Sequence, residues 1–505
     1  MIAALCALVF SAIAFLPMDD RPVTSQIPIM LGRIAGVPVT EPPPALRGRF
    51  LQPGHSDRMI AWLNREAAKP QTDAFVVSTD MLAYGGLIAS RVPGPSYADA
   101  YTRLMALAHL RGEHPRAWIG AFGTVMRLAP TGIPAGTPFF AAYPAWSYLQ
   151  AYANLHDPPL PAELERAQTL RDLIGAPALD AYLATRARNL AIDRLLLKLT
   201  ANGTIDRLVL GQDDAGPVGL HVREVRLLQD EAAAAQLGER ASIEPGADEL
   251  GTALIAHAIA RTAKWTPRVA VRYSTPGGAA YQDPIEFAPI SNAIDALIGV
   301  AGGVRDEGRP EIVLYVRVPK TSAAQDDATI AAMNADIEAG RSVVLADLSY
   351  LASYSDQAAF ARRILASGLA SQLDAYSSWN TNANTVGTAL AEGIAAGAGR
   401  RMGTYDALAH RTLTFTRFLD DYAYHDEVRP DLNATLAAQG VSDHTLLAPD
   451  LAAAIAERDR ALLWGYAETI LAQLDPGYHI AAMEIGLPWS RTFETSIDAG
   501  IAPNL

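Results

Sequence analysis

Short apolar runs recur along the chain, and most are followed by a stretch with apolar residues at helical spacing. The runs read as strands near 12–17, 74–79, 117–124, 206–212, 268–273, 312–318, 342–347 and 373–378. Shorter candidates lie near 36–40 and 241–244. Helical patterns fall at 56–68, 96–110, 220–237, 248–263, 288–300, 326–339, 356–368 and 384–397. Strand alternating with helix predicts a parallel sheet covered on both faces, hence an α/β fold. From 404 onward the pattern is helical, with Arg417, Asp420, Asp421, His425 and Glu427 in a charged, aromatic-studded stretch.

Two architectures fit this count. The longer runs alone suit a single (β/α)8 barrel, with the 206–212 strand as its fourth. Adding the two short runs suits two doubly wound lobes that meet near Lys264-Trp265-Thr266-Pro267. Intervals after 268 are regular and compact, whereas those before it are long and irregular, which favours two lobes. The expected division is an N-terminal lobe over 1–265, a second lobe over 266–403 and a helical region over 404–505. The segment 128–165, with Phe139, Phe140, Tyr143, Trp146 and Tyr148 close together, is either a lid over the site or an insertion with its own small core.

The strand ends carry the chemistry. In parallel sheets, ligands bind outside the carboxyl ends of the strands. Residues 207–216 form an apolar run that ends in Asp213-Asp214 and then Gly216. Residues 12–22 likewise end in Asp19-Asp20-Arg21-Pro22. The 74–79 run leads into Asp80 and Tyr84-Gly85-Gly86, and 343–347 ends in Asp347. The 373–378 run leads into Trp379-Asn380-Thr381-Asn382-Ala383-Asn384.

Successive strand residues point to opposite faces, so Asp213 and Asp214 enter one pocket only if the backbone turns between them. One division gives Asp213 the acid–base work and leaves Asp214 to orient it or a substrate amide. The alternative is that Asp214 caps the following helix. Asp80 is the third candidate catalytic group. Arg21 pairs with Asp19 or Asp20 and leaves the other for substrate, unless the three simply form a local ion pair. Tyr84 and Gly85 suit close backbone approach to a ligand. Gln212, Asp347, Asn380 and Asn384 are further candidate substrate contacts. Trp379 offers an aromatic face for a sugar ring, with a core tryptophan as the alternative. Asp248-Glu249 reads as the acidic first turn of a helix.

Taken together, Met18-Asp19-Asp20-Arg21-Pro22, Ser78 to Arg91, Gly211-Gln212-Asp213-Asp214-Ala215, Pro245-Gly246-Ala247-Asp248-Glu249 and Trp379 to Asn384 resemble a bacterial family catalogued as a domain of unknown function, DUF4127. The resemblance runs from about Phe15 to the C-terminus. It implies no established reaction, but it implies an export signal in family members. Met1 to Ala14 is apolar and ends in Ala12-Ile13-Ala14, yet no positive residue precedes the run. That is an incomplete signal peptide, as expected of a start misplaced within a longer one. Export to the periplasm or beyond is therefore expected, with a cytoplasmic location as the alternative. No membrane span is expected in the mature chain, because no other segment reaches the roughly 20 apolar residues needed.

A chain of 505 residues, half of them hydrophobic, is long enough for two or three buried cores. The net charge of −13 argues against nucleic-acid binding. Cys6, the only cysteine, excludes an internal disulfide and a thiolate zinc site. Phosphate-binding glycine loops, His-Glu-x-x-His and Gly-x-Ser-x-Gly are all absent. Carboxylates with amides and aromatics suit acid–base work on polyhydroxylated substrates. The sequence therefore points to a carbohydrate-active hydrolase acting on a small molecule or oligosaccharide. A divalent-metal hydrolase and a non-catalytic sugar or cell-wall binder are the alternatives. No cofactor is expected, although a carboxylate rim could take a divalent ion. Nothing in the sequence sets the oligomeric state.

Overall fold

Alternate residues of each strand feed two different apolar layers. In the first sheet, Ile13, Phe15, Val76, Phe122 and Val209 face one layer, while Ala14, Leu16, Phe75, Val77, Ile119 and Leu210 face the other. The second sheet repeats the device. Val269, Val271, Leu314, Val316 and Val344 face the first layer, and Val313, Tyr315, Val343 and Leu345 face a third. The computed structural model describes residues 11–129, 131, 158, 160–283, 286, 288–350, 354–442 and 446–504.

The first sheet has six parallel strands, β1 (Ala12–Leu16), β2 (Val39–Thr40), β3 (Thr72–Ser78), β4 (Trp118–Val125), β5 (Arg207–Gln212) and β6 (Ala241–Pro245). Their order is β2-β1-β3-β4-β5-β6. The second sheet has five parallel strands, β7 (Arg268–Tyr273), β8 (Val304–Arg305), β9 (Ile312–Arg317), β10 (Ser342–Asp347) and β11 (Ala375–Ser377). Their order is β11-β10-β9-β7-β8. In both sheets the chain steps one way from the first strand to the second, then returns to the other side for the rest. That reversal leaves two open edges per sheet, so the barrel considered from the sequence does not form. It also creates a crevice at the carboxyl ends of β1 and β3, where doubly wound folds bind ligands.

The two sheets share one core. The helices Pro22–Ala35, Leu250–Thr262, Ile290–Val300 and Asn382–Met402 lie between them and contribute to the same apolar cluster. Nearly every side chain of Asn382–Met402 up to Gly399 is buried, as expected for a helix enclosed all round. Glycines set its distance from the second sheet, for a Cβ on Gly393 would stand 2.4 Å from Val344 Cγ2. On the other side, a Cβ on Gly251 would meet Phe122 at 2.9 Å and Phe15 at 3.1 Å.

Some elements differ from the sequence expectation. Pro22 and Pro28 hide the helix Pro22–Ala35, which starts with Pro22 in its first turn, where no amide hydrogen is needed. The helices Pro161–Ile174 and Ala176–Ala201 also went unread. The C-terminal region is helical, but it carries a π-helical turn over Phe418–Val428 and ends in an antiparallel hairpin, β12 (Tyr478–Gly486) with β13 (Ser496–Pro503). Ala12 to Ala14 lie inside β1, between β2 and β3, so cleavage after Ala14 would remove three of the five residues of an interior strand. Cys6, Phe139, Phe140, Tyr143, Trp146 and Tyr148 lie outside the described residues. Among the described residues, no helix is long and apolar enough to cross a membrane.

Trp379 is not a rim platform. It is 2 % exposed and belongs to the shared core, with its indole nitrogen buried and unpartnered. The turn after β11 folds it inward against the helix that follows. Trp379→Ala should therefore lower the unfolding free energy by roughly 3–5 kcal/mol in a denaturant titration. A loss under about 1 kcal/mol, the scale of a surface change, would contradict the core placement.

Candidate functional site

The switch point of the first sheet gathers its acids. After β1 the chain turns through Asp19-Asp20-Arg21 into a helix. Asp19 accepts from the Arg21 backbone at 3.0 Å, from Arg21 Nε at 2.9 Å and from Thr24 Oγ1 at 2.6 Å. Arg21 reaches on to Asp248 Oδ1 at 2.5 Å and to Glu494 Oε1 at 2.9 Å. Asp248 follows β6, and Glu494 precedes β13. One buried guanidinium thus ties three distant segments together. The three charges beside it hold Arg21 protonated despite burial. Asp248 and Glu249 precede the helix Leu250–Thr262, whose first turn carries no acid, so they are not the acidic first turn expected from the sequence.

The C-terminal segment closes over this cluster. The Trp489 indole donates to Asp20 Oδ1 at 2.6 Å, and burial of Asp20 pushes its carboxyl up. Arg21 and Arg491 lie over the Trp489 ring, each 4.9 Å from its centroid. Arg491 also faces Phe50 and Phe493, and burial lowers it to about 10. It forms no ion pair among the described residues. Trp489 and Ser490 hold φ of 56° and 52°, a left-handed backbone that non-glycine residues rarely adopt.

Asp80 sits in the first turn after β3, where Ser78 caps the short helix Thr79–Tyr84 through a bond from the Met81 amide. Its carboxyl accepts from Thr124 Oγ1 of β4 at 2.8 Å. Burial, with some repulsion from Asp213, raises it to about 7. Asp213 is itself clamped, for Arg91 Nε and Nη2 each donate to one of its oxygens at 2.7 Å. Both partners are buried.

Asp214 differs from its neighbour. Its side chain is 39 % exposed and stands 4.0 Å from Arg127. Surrounding protein, then the Asp213 charge, raises it to about 6, with a further contribution from Asp248. It does not cap the next helix, which starts at Leu220 with Gly219 at the cap position. Gln212 donates to Val125 and Asp213 carbonyls, and its own carbonyl oxygen is buried without a partner. Glu286, from the loop after β7, accepts from Asn382 Nδ2 at 3.0 Å and from the Ala383 amide at 2.9 Å. Burial raises it to about 7, and Asp214 is among the charges it feels. This brings the amino end of the Asn382–Met402 helix to the rim.

The sequence candidates therefore divide. Asp19, Asp20, Arg21, Asp80, Asp213 and Asp214 converge through linked contacts and charges. Asn384 stands in the first turn of that helix with its side-chain oxygen buried and unpartnered, whereas Asn380 is half-buried at φ 55°. Tyr84 is buried beneath Arg188, 4.3 Å from its ring centroid, and is not a free ligand contact. Gly85 gives close approach to protein instead, since its carbonyl accepts from the Gly54 amide at 2.8 Å. Asp347 ends β10 in the other sheet, bound to Arg317 at 3.3 Å and to Ser349 at 2.7 Å. Trp379 is in the core. Sequence reasoning missed Arg91, Glu286, Trp489, Arg491 and Glu494. The only signal for the last three was a polar, aromatic patch over 489–495 close to the chain end. Among the described residues, no three His, Cys, Asp or Glu side chains group to hold a metal ion.

The chain matches the family described as "Protein of unknown function (DUF4127)" over residues 13–498, and it belongs to that family. No curated protein and no solved structure matches it.

Two outcomes test this electrostatic account. Arg91→Leu leaves Asp213 buried without its cation and should lose roughly 3–5 kcal/mol of stability, while Arg91→Leu with Asp213→Leu should recover much of it. A double variant no more stable than Arg91→Leu would rule out the pair. For Asp80, the folded value of about 7 stands above the unfolded value of 3.8. Its stability contribution is then full below about pH 4 and is lost as pH rises to about 7. Asp80→Asn should gain on the parent across that window in denaturant titrations, then keep a constant lead. A pH-independent difference would mean that Asp80 stays ionised in the fold.

Proposed function

We propose that the protein is a hydrolase of glycosidic substrates, working by carboxyl acid–base chemistry at the carboxyl ends of the first sheet. One observation carries this reading: Asp214 is accessible and raised to about 6, beside an Asp213 fixed by Arg91. A carboxyl poised near the working pH both accepts and donates protons efficiently. Asp214 therefore takes the proton-transfer role first given to Asp213, whose oxygens are both engaged. Asp213 supplies a fixed negative charge, suited to positive charge developing at an anomeric carbon. Gln212 and Asn384 offer buried acceptor oxygens for substrate hydroxyls. Arg491 offers a cation for a substrate oxygen. An exported location accords with the resemblance drawn from the sequence motifs.

Asp214→Asn should reduce turnover of a hydrolysed aryl glycoside by roughly 10²–10⁴-fold while leaving thermal unfolding unchanged. With Asp214 acting as base, the parent rate should rise as pH passes about 6. No turnover on a broad aryl glycoside panel, or a variant as fast as the parent, overturns the proposal. Saturable sugar binding without turnover would identify a receptor instead.

A further inference from the structure

The amino-terminal edge of the first sheet, opposite the acid rim, holds a cavity of about 370 Å³. Arg111, Arg116, Arg207, Arg240 and Arg261 line it, against only two carboxylates, Asp206 and Glu239. This basic concentration stands out in a chain of net charge −13. The volume is at the lower end of small-ligand sites. Two of the arginines are already engaged. Arg111 donates to Asp206 at 2.5 Å and to the Ala117 carbonyl at 2.7 Å, and Arg240 donates to the Thr200 carbonyl.

The other three have donors to spare. Arg207, at the start of β5, is 5 % exposed. Its Nη2 donates to Ser242 Oγ at 2.8 Å, but Nε and Nη1 are buried without an acceptor. The nearby Glu244 makes no hydrogen bond to it, for both its oxygens are buried without a partner, and burial lowers Arg207 while raising Glu244. Arg261 lies over the Trp118 ring, 5.4 Å from its centroid, and Arg116 is exposed at the mouth. Among the described residues, neither forms an ion pair. Arginines near helix C-termini are favoured in their own right, and the helices Tyr97–Glu113 and Leu250–Thr262 both end here. That explains Arg111 and Arg261. It does not explain a buried guanidinium with unmade bonds, which is costly unless an acceptor arrives.

We propose that this cavity binds a small multiply charged oxyanion, of the phosphate type, through Arg207, Arg261 and Arg116. Guanidinium groups match such anions with paired, charge-assisted hydrogen bonds.

The test is calorimetric titration of the full chain with inorganic phosphate and, separately, glycerol 3-phosphate, at low and at raised sodium chloride. Saturable binding that weakens with salt is expected. Tighter binding of inorganic phosphate assigns the free ion, and tighter binding of glycerol 3-phosphate assigns a phosphorylated metabolite. Arg116→Gln with Arg261→Gln alters two exposed side chains and should fold normally, yet weaken binding by roughly tenfold or more. Arg207→Met should abolish binding without lowering the melting temperature. Asp214→Asn should bind phosphate like the parent, which separates this site from the proposed hydrolase site. Absence of saturable binding by both anions, or a double variant that binds as tightly as the parent, overturns the inference.

Discussion

Arg21 is the interaction on which the acid rim depends. Removing a guanidinium and three carboxylates from water costs several kcal/mol per ion, and only tight mutual pairing offsets that. Arg21, Asp19, Asp248 and Glu494 are all buried, so none of them can be left alone. They come from the end of β1, the loop after β6 and the approach to β13. The pairing therefore draws the C-terminal segment onto the first sheet. Trp489 then reaches Asp20, and the strained turn at Trp489 and Ser490 is held in place.

The two sheets share a topology but not a chemistry. Each reverses direction at its first strand, and each places polar groups at the carboxyl ends. In the second sheet Arg317 is saturated, donating to Asp326, Asp347, Ser349 and Asp356. In the first sheet Asp80 is raised to about 7 and Asp214 to about 6, and the side-chain oxygen of Gln212 has no partner. Groups poised to exchange protons mark candidate working sites. The second sheet has such groups too, for burial raises Asp420 to about 7 and Asp426 to about 10, and one oxygen of Asp347 is buried without a partner. What distinguishes the first sheet is Asp214, whose side chain is 39 % exposed.

Much of this was legible in the sequence, for physical reasons. Strands buried on both faces give near-continuous apolar runs, so all ten expected strands formed, and among the described residues only the two-residue β8 and the terminal hairpin were missed. Acid pairs at the strand ends identified Asp19, Asp80, Asp213 and Asp214 because strand interiors have no use for them. The unread parts depend on contacts between distant segments. Nothing local says that Arg91 claims Asp213, that Glu286 caps the helix after Trp379, or that Glu494 meets Arg21. Trp379 misled because a strand end near amides suits a sugar platform and a core residue equally well. Only its 2 % exposure decides between them.

Amide hydrogen exchange tests the dependence on Arg21 most directly, by comparing the parent chain with Arg21→Met. Removing the cation leaves Asp19, Asp248 and Glu494 repelling one another. Protection should fall together over 17–25, 246–250 and 489–495, while β9 and β10 stay as protected as in the parent. Loss confined to 17–25, with 489–495 unchanged, would contradict the account and show that the C-terminal segment holds its place without Arg21.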